Sequence, residues 1–555
     1  MRLNRLRTGG KILVDQLVNH GIEKVFCVPG ESYLEILDAL YDVKDKITLF
    51  NARHEAAAAN MAEAAGKLGD KPGVAIVTRG PGACHASIGV HIARQDSTPM
   101  LLIIGQVSQG TKDRESFQEL DYESMFGRIA KWCAQIEQVD RIPEYIARAM
   151  NVAVSGRPGP VVLSIPENVL QQLTDRGDIP KTKIHKPRPT TESLDILKKI
   201  LNESNKPLIV LGGSDWCSAS GDAIAAFALK LSIPVVTSFR RQDIIDNRLD
   251  IFVGTLGTSV APQLQQRIKQ ADLLFVIGAR LGDMSTNGYH LIDPSNLRQK
   301  IVHVHLDPGE LGSVYPAELG IVASMSAMSA ELSKMKVVRK ARWAEWSGKL
   351  KNEYRSDVAP PDYLGALDLG KIFADLDHEL PQDTIITLDA GNHTGWPQRF
   401  LKYGFKRRQI GSTCGSMGYA IPAAVAASAM FPEQFVLGFV GDGGFMMSGM
   451  ELMTAVQHKL SPMIVVFNNS SYGTIRMHQE REHPSRVIAT DLINPSFRKF
   501  AKAMGIYSET VCRTEDFFTA FYRCRDRVGV TLLELITDTE QLSSRHSIST
   551  LLRNA

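Results

Sequence analysis

The chain has 555 residues, 44% hydrophobic and 22% charged, and a net charge of +3. It is too long for one hydrophobic core, ordinary in composition for a folded protein, and not basic enough to carry a nucleic-acid footprint. Its seven cysteines are scattered with no CxxC pair, which argues against a disulfide framework or zinc site and fits a reducing, cytoplasmic compartment.

No apolar run reaches the roughly 18 residues of a membrane helix. The opening MRLNRLRTGG lacks the apolar stretch of a secretory signal. From Thr8 to His20 the spacing predicts a helix with Leu13 and Leu17 on one face. Strands follow at 25–28, 47–50, 74–78 and 100–104. Pro29-Gly30 ends the first, and Glu31-Ser32-Tyr33 opens a helix after it. Arg53-His54-Glu55 leads into an alanine-rich stretch of high helix propensity. Arg79-Gly80-Pro81-Gly82 ends the third strand and Gly105-Gln106 the fourth. One edge of this sheet is therefore rich in polar and glycine turns.

Residues 171–193 are polar and Pro-rich and read as a linker. Strands at 207–211, 234–237, 273–277 and 301–306 alternate with helical stretches, which predicts a second doubly wound sheet. A charged connector spans 334–363. A third domain starts near Leu367, with a strand at 384–388 running into Asp389-Ala390-Gly391-Asn392-His393.

The stretch from Phe435 to Asn469 organises the chain. FVLGFV reads as a strand, GDGGFMMSGMELMTAVQHKLS as a turn and a helix through Met450, Thr454 and Gln457, and PMIVVFNN as a second strand. That unit predicts a parallel pair joined by a right-handed crossover. Asp442 and Asn469 fall at the carboxyl ends of the two strands, where open α/β sheets bind ligands. A carboxylate and an amide oxygen are hard donors suited to Mg2+. Gly443 and Gly444 let the backbone approach a phosphate, and a following helix N-terminus offers free N–H groups.

GDG, 24 residues and then NN, with strand–helix–strand between, resembles the thiamin-diphosphate motif of the family that includes acetohydroxyacid synthase, pyruvate oxidase and pyruvate decarboxylase. The resemblance implies Mg2+ held by the side chains of Asp442 and Asn469 and the carbonyl of Ser471. It implies cofactor contacts at Pro29, Gly30, Gly82, His85, Asn392, His393, Gly441, Gly443, Gly444, Tyr472 and Gly473. In GSTCGSMGYA, the Gly415 carbonyl and the Met417 N–H would meet the aminopyrimidine, with the Met417 side chain wedged beneath the cofactor. Glu55 matches the glutamate that hydrogen-bonds an aminopyrimidine nitrogen; for this it must be partly protonated, which burial favours. Phe117-Gln118-Glu119 resembles an FQE segment whose first two residues line the substrate side, and Lys131 falls where acetohydroxyacid synthases carry a lysine. GTLG (254–257) and GARLGD (278–283) resemble flavin-contacting segments, leaving FAD open.

The implied fold is α/β with three doubly wound parallel-sheet domains: pyrimidine-binding (1–170), central (190–335) and diphosphate-binding (365–545). The implied active unit is a homodimer at minimum, with tetramers open, in which the first domain of one copy meets the third domain of another. The implied reaction is decarboxylation and carboligation of small 2-keto acids, with no nucleic-acid or membrane partner. The overall pattern resembles the acetohydroxyacid (acetolactate) synthase large subunit, with three departures. His478 stands in place of a tryptophan, Met477 of a glutamine and Glu31 of a glycine. His478 and Glu31 are expected to face the substrate as catalytic-site residues. A 2-keto acid decarboxylase, a flavin-dependent pyruvate oxidase-like enzyme and a non-catalytic cofactor-binding scaffold are the alternatives.

Overall fold

The computed structural model describes residues 6–336, 342–363 and 365–554. Three six-stranded, wholly parallel sheets carry the chain. In spatial order the first contains Thr48–Asn51, Lys24–Cys27, Gly73–Val77, Met100–Gln106, Pro160–Pro166 and Trp132–Gln135. The third contains Arg408–Gly411, Ile385–Leu388, Val436–Gly441, Met463–Asn468, Thr531–Ile536 and Tyr507–Val511. Numbered by appearance within each domain, both run 2-1-3-4-6-5. The central sheet runs 3-2-1-4-5-6, from Phe252–Thr255 through Pro207–Leu211 and Leu273–Ile277 to Leu319–Val322.

Each sheet thus has a point where the strand order reverses, and a crevice opens there beyond the carboxyl ends. In the first sheet it lies between Lys24–Cys27 and Gly73–Val77. In the third it lies between Ile385–Leu388 and Val436–Gly441. The turns singled out in the sequence, Pro29-Gly30, Arg79 to Gly82, Asp389 to His393 and Gly441 to Gly444, follow these four strands.

One apolar core joins the first and third domains. The alanine-rich helices Glu55–Leu68 and Ala420–Met430 pack through small side chains buried on both. Across this seam runs a buried polar network. Lys67 Nζ meets Asp96 Oδ2 at 2.5 Å and Glu63 Oε1 at 3.0 Å. Glu63 also takes hydrogen bonds from Thr98 Oγ1, at 2.6 Å, and from the Tyr419 hydroxyl. Asp96 accepts from the Thr413 N–H and hydroxyl. The helix that begins at Glu55 is thereby tied to the 411–419 turn.

One local reading changes, and the place of Lys131 is resolved. The helix expected after GDGG is broken into Asp442–Ser448, a 3-10 turn Gly449–Glu451 and Leu452–Gln457. The break turns Glu451 onto the Arg53 N–H, at 3.0 and 3.2 Å, just ahead of Glu55. Lys131 sits at the amino end of its sheet, donating at 2.5 Å to the carbonyls of Val152 and Ser155; burial pushes its pKa down to about 8. It is a half-buried lysine at the opposite end of the sheet from the ligand edge. Within the 334–363 connector, Ala344–Asp357 is helical, while 337–341 lie outside the described residues.

Candidate active site

A cavity of about 970 Å3 lies chiefly between the central and third domains, with Gln95 to Ser97 of the first domain on its rim. Asn392, His393, Gly415, Met417, Gly441, Asp442, Gly443, Gly444, Asn469, Ser471, Tyr472, Gly473 and His478 all line it. The third-domain residues picked from sequence are therefore brought together.

Asp442 is buried, 3% exposed. Its carboxylate accepts from Asn494 Nδ2 at 2.7 Å and the Gly443 N–H at 2.9 Å. Burial raises its pKa, and these donors pull back in the other direction. Among the described residues it has no cationic partner. Asn494 also donates to Asn468 Oδ1, at 3.0 Å, so it pins both strand ends. Gly443 is required by close approach: an added Cβ would lie 2.5 Å from the Tyr472 ring. The Asn469 side chain accepts the Ser471 N–H at 3.1 Å, and the Ser471 carbonyl accepts the Gly473 N–H at 2.8 Å.

Across the crevice, Asn392 donates its N–H to Thr474 Oγ1 at 2.9 Å and its amide to Met477 Sδ at 3.4 Å. The His393 ring packs on Phe467. Burial first, and Arg240 second, push its pKa down to about 3, so it is neutral, and its buried Nε2 has no partner. Asp389, wholly buried, accepts from the N–H groups of Ala390, Gly418 and Ala420 at 2.9–3.0 Å. That buried carboxylate fixes the turn carrying Gly415 and Met417. Arg240, also buried, reaches in from the central domain and donates to the Asp389 carbonyl at 2.5 Å.

The first-domain residues gather elsewhere. Glu55 opens its helix, and its Oε2 stands 2.9 Å from His85 Nδ1. Gly82 lies beside it, where an added Cβ would be 3.4 Å from Glu55 Oε1. Gly30 follows Pro29 in an extended conformation against Thr78. Glu31 is not free: it pairs with Arg79 at 2.5 Å, while Arg79 Nε donates to the Phe117 carbonyl at 3.2 Å. Phe117 is 72% exposed and Gln118 sits at φ 65° beside Gly80. None of these residues lines the large cavity of the same chain. One chain therefore carries two separate groups of candidate site residues.

The Thiamine pyrophosphate enzyme C-terminal TPP binding domain matches residues 389–535, its N-terminal TPP binding domain residues 7–125, and its central domain residues 194–332. The chain belongs to the thiamine pyrophosphate enzyme family. Similar proteins include one named acetolactate synthase large subunit from Parasynechococcus marenigrum, 28% identical over 90% of this chain and 82% of the relative. Another of that name, from Corynebacterium glutamicum, is 29% identical over 94% of this chain and 85% of its own length. One from Methanocaldococcus jannaschii, named probable acetolactate synthase large subunit, is 29% identical over 92% and 88%.

The donor set fits what a thiamine pyrophosphate enzyme must hold. Asp442, a buried carboxylate without a cation among the described residues, lines one cavity with Asn469, Ser471 and His393, whose buried Nε2 is unpartnered. Divalent metal and diphosphate oxygens satisfy such groups. Sequence reasoning missed Asp389, Asn494, Thr474 and Arg240; only Asp389 gave a signal, as the polar residue that ends a strand. GTLG falls away from this cavity: Gly254, Thr255 and Leu256 line a separate pocket of about 40 Å3. Arg280 to Asp283 of GARLGD do line the large one. Among the described residues, no helix is long and apolar enough to cross a membrane.

Proposed function

We propose that this thiamine-diphosphate enzyme uses Mg2+ to decarboxylate a small 2-keto acid and join the remaining fragment to a second carbonyl, the class of reaction its relatives' name describes. The observation that carries the reading is Asp442, a buried carboxylate without a cationic partner that lines one cavity with Asn469 and Ser471. These three would hold the metal. His393, with its unpartnered buried nitrogen, would donate to the diphosphate, bordered by Asn392, Gly441, Gly443, Gly444, Tyr472 and Gly473. The Gly415 carbonyl and Met417 would hold the pyrimidine. When bound, the cofactor supplies a nucleophilic carbon and an electron sink.

Two half-sites on one chain support an active unit of at least two copies. Glu55, with Pro29, Gly30, Gly82 and His85, would close the cavity of a second copy and exchange a proton with the cofactor ring. Phe117, Gln118, Glu31 and His478 would border the substrate. The central-domain end of the cavity, with Arg280, Gly282 and Asp283, has room for a second ligand, and FAD is the occupant an absorbance spectrum of the purified protein would reveal. Seven free cysteines suit a reducing cytoplasm.

The test is a panel of 2-keto acids and aldehydes, incubated with thiamine diphosphate and Mg2+, with products identified by mass. A carbon–carbon coupled product from at least one 2-keto acid is expected. Aldehyde alone, or oxidised acid alone, would replace this reading with a decarboxylase or an oxidase.

His478 makes the acceptor choice testable. It lines the cavity and accepts from Arg481 Nη2 at 2.6 Å. A guanidinium only donates, so His478 takes that bond at a bare Nδ1 and keeps its proton on Nε2. A polar edge thus stands where an apolar ring would favour an extra methylene, which is worth about 10- to 200-fold in such pockets. His478→Trp is expected to raise the share of 2-ketobutyrate product about tenfold in competition with pyruvate. A native enzyme already strongly preferring 2-ketobutyrate would remove this role.

A further inference from the structure

We propose that His85 is a positioning residue for Glu55: its Nδ1–H holds one carboxyl oxygen, Oε2, so that Oε1 alone is presented to the cofactor ring. This rests on the role given to Glu55 above. The two residues lie on different elements, Glu55 at the start of Glu55–Leu68 and His85 in the first turns of Pro81–Asp96. Their 2.9 Å contact bridges the two helices. Among the described residues, no other side chain hydrogen-bonds the Glu55 carboxyl group.

Glu55 is largely enclosed, while His85 is exposed on the chain. Oε1 faces Gly82, where an added Cβ would touch it at 3.4 Å and clash with Thr78 Cγ2 at 2.9 Å. The His85 ring lies against that of His54, with centroids 4.4 Å apart at 30°. His54 is itself locked, because its Nδ1 accepts the Ala56 N–H at 3.1 Å. Burial, and His85 after it, lower the His54 pKa, which keeps a positive charge on His54 away from the pair. Tyr33, the other titratable group near Glu55, donates its hydroxyl to the Val28 carbonyl at 2.5 Å. Glu451 clamps the Arg53 N–H on the remaining side.

The consequence is chemical as well as geometric. With the cofactor bound, passage of a proton from Oε1 to the ring would leave negative charge on the Glu55 carboxylate. Nδ1 keeps its own proton throughout. The Nδ1–H···Oε2 bond then becomes charge-assisted, which roughly doubles its strength. His85 therefore favours the state after transfer over the state before it.

Two measurements test the proposal. In the cofactor-free chain with 15N-labelled histidine, the His85 proton is expected on Nδ1, and Glu55→Ala is expected to release it to Nε2. A proton on Nε2 in both chains would overturn the assignment. In the loaded enzyme without substrate, exchange of the thiazolium proton with D2O is expected to slow about 10- to 100-fold in His85→Ala, the range for a hydrogen bond to a charged group. His85→Asn, whose amide N–H can replace Nδ1–H, is expected to recover most of that loss. Wild-type exchange in His85→Ala, with Glu55→Gln slow, would sink the role of His85 alone. Wild-type exchange in Glu55→Gln as well would sink the parent reading with it.

Discussion

Asp442→Ala is expected to abolish binding of thiamine diphosphate and Mg2+. The carboxylate is the only charged oxygen proposed for the metal, and it is held by Asn494 and the Gly443 N–H at the strand's end. Losing even an outer partner of a metal ligand costs about 10- to 100-fold in affinity, so losing the ligand itself is expected to cost more than about 100-fold. The fold is expected to survive, because Asp442 ties down only neutral donors and removing it leaves no buried charge unpaired. Calorimetric titration with cofactor, with and without Mg2+, measures this. Unchanged affinity would remove Asp442 from the metal site.

Glu55→Gln is expected to keep cofactor binding and slow proton exchange at the thiazolium carbon by about 10²–10⁴-fold, the usual contribution of general acid–base catalysis. The amide keeps a hydrogen bond to the ring but cannot pass a proton to it. The turn before the helix is expected to hold its shape, since Glu451 grips it through the Arg53 backbone rather than through Glu55. Hydrogen–deuterium exchange followed by NMR gives the rate. Exchange at the wild-type rate would remove Glu55 from the mechanism.

The stretch from Phe435 to Asn469 was legible because each apolar strand ends in a chemically marked turn. Both strands form where the pattern puts them, as Val436–Gly441 and Met463–Asn468, paired in parallel. The helix between them was misread as continuous: the spacing of Met450, Thr454 and Gln457 carries no sign that Gly449–Glu451 tightens to deliver Glu451 to Arg53. Buried charges were harder still. Glu63 and Lys67 sit four apart on an alanine-rich helix, yet at a domain seam Lys67 pairs with Glu63 and Asp96, while Glu63 accepts from Thr98 and Tyr419. Asn494 supports Asp442 from a loop 52 residues away, and Arg240 reaches Asp389 from another domain. Such long-range pairings leave no local periodicity. Gly254 to Leu256, part of a segment that resembles a flavin contact, line a different pocket from Asp442.

The central claim is that the Glu55 half-site of one copy and the Asp442 half-site of another make one active centre. The most direct test is to mix two disabled chains, Asp442→Ala and Glu55→Gln, and measure 2-keto acid coupling. Each heterodimer would hold one doubly damaged centre and one in which both residues are intact. With random pairing into symmetric dimers, activity is expected to return to about a quarter of the wild-type value, although each variant alone is nearly inactive. A mixture no more active than the mean of its two components would contradict the shared centre.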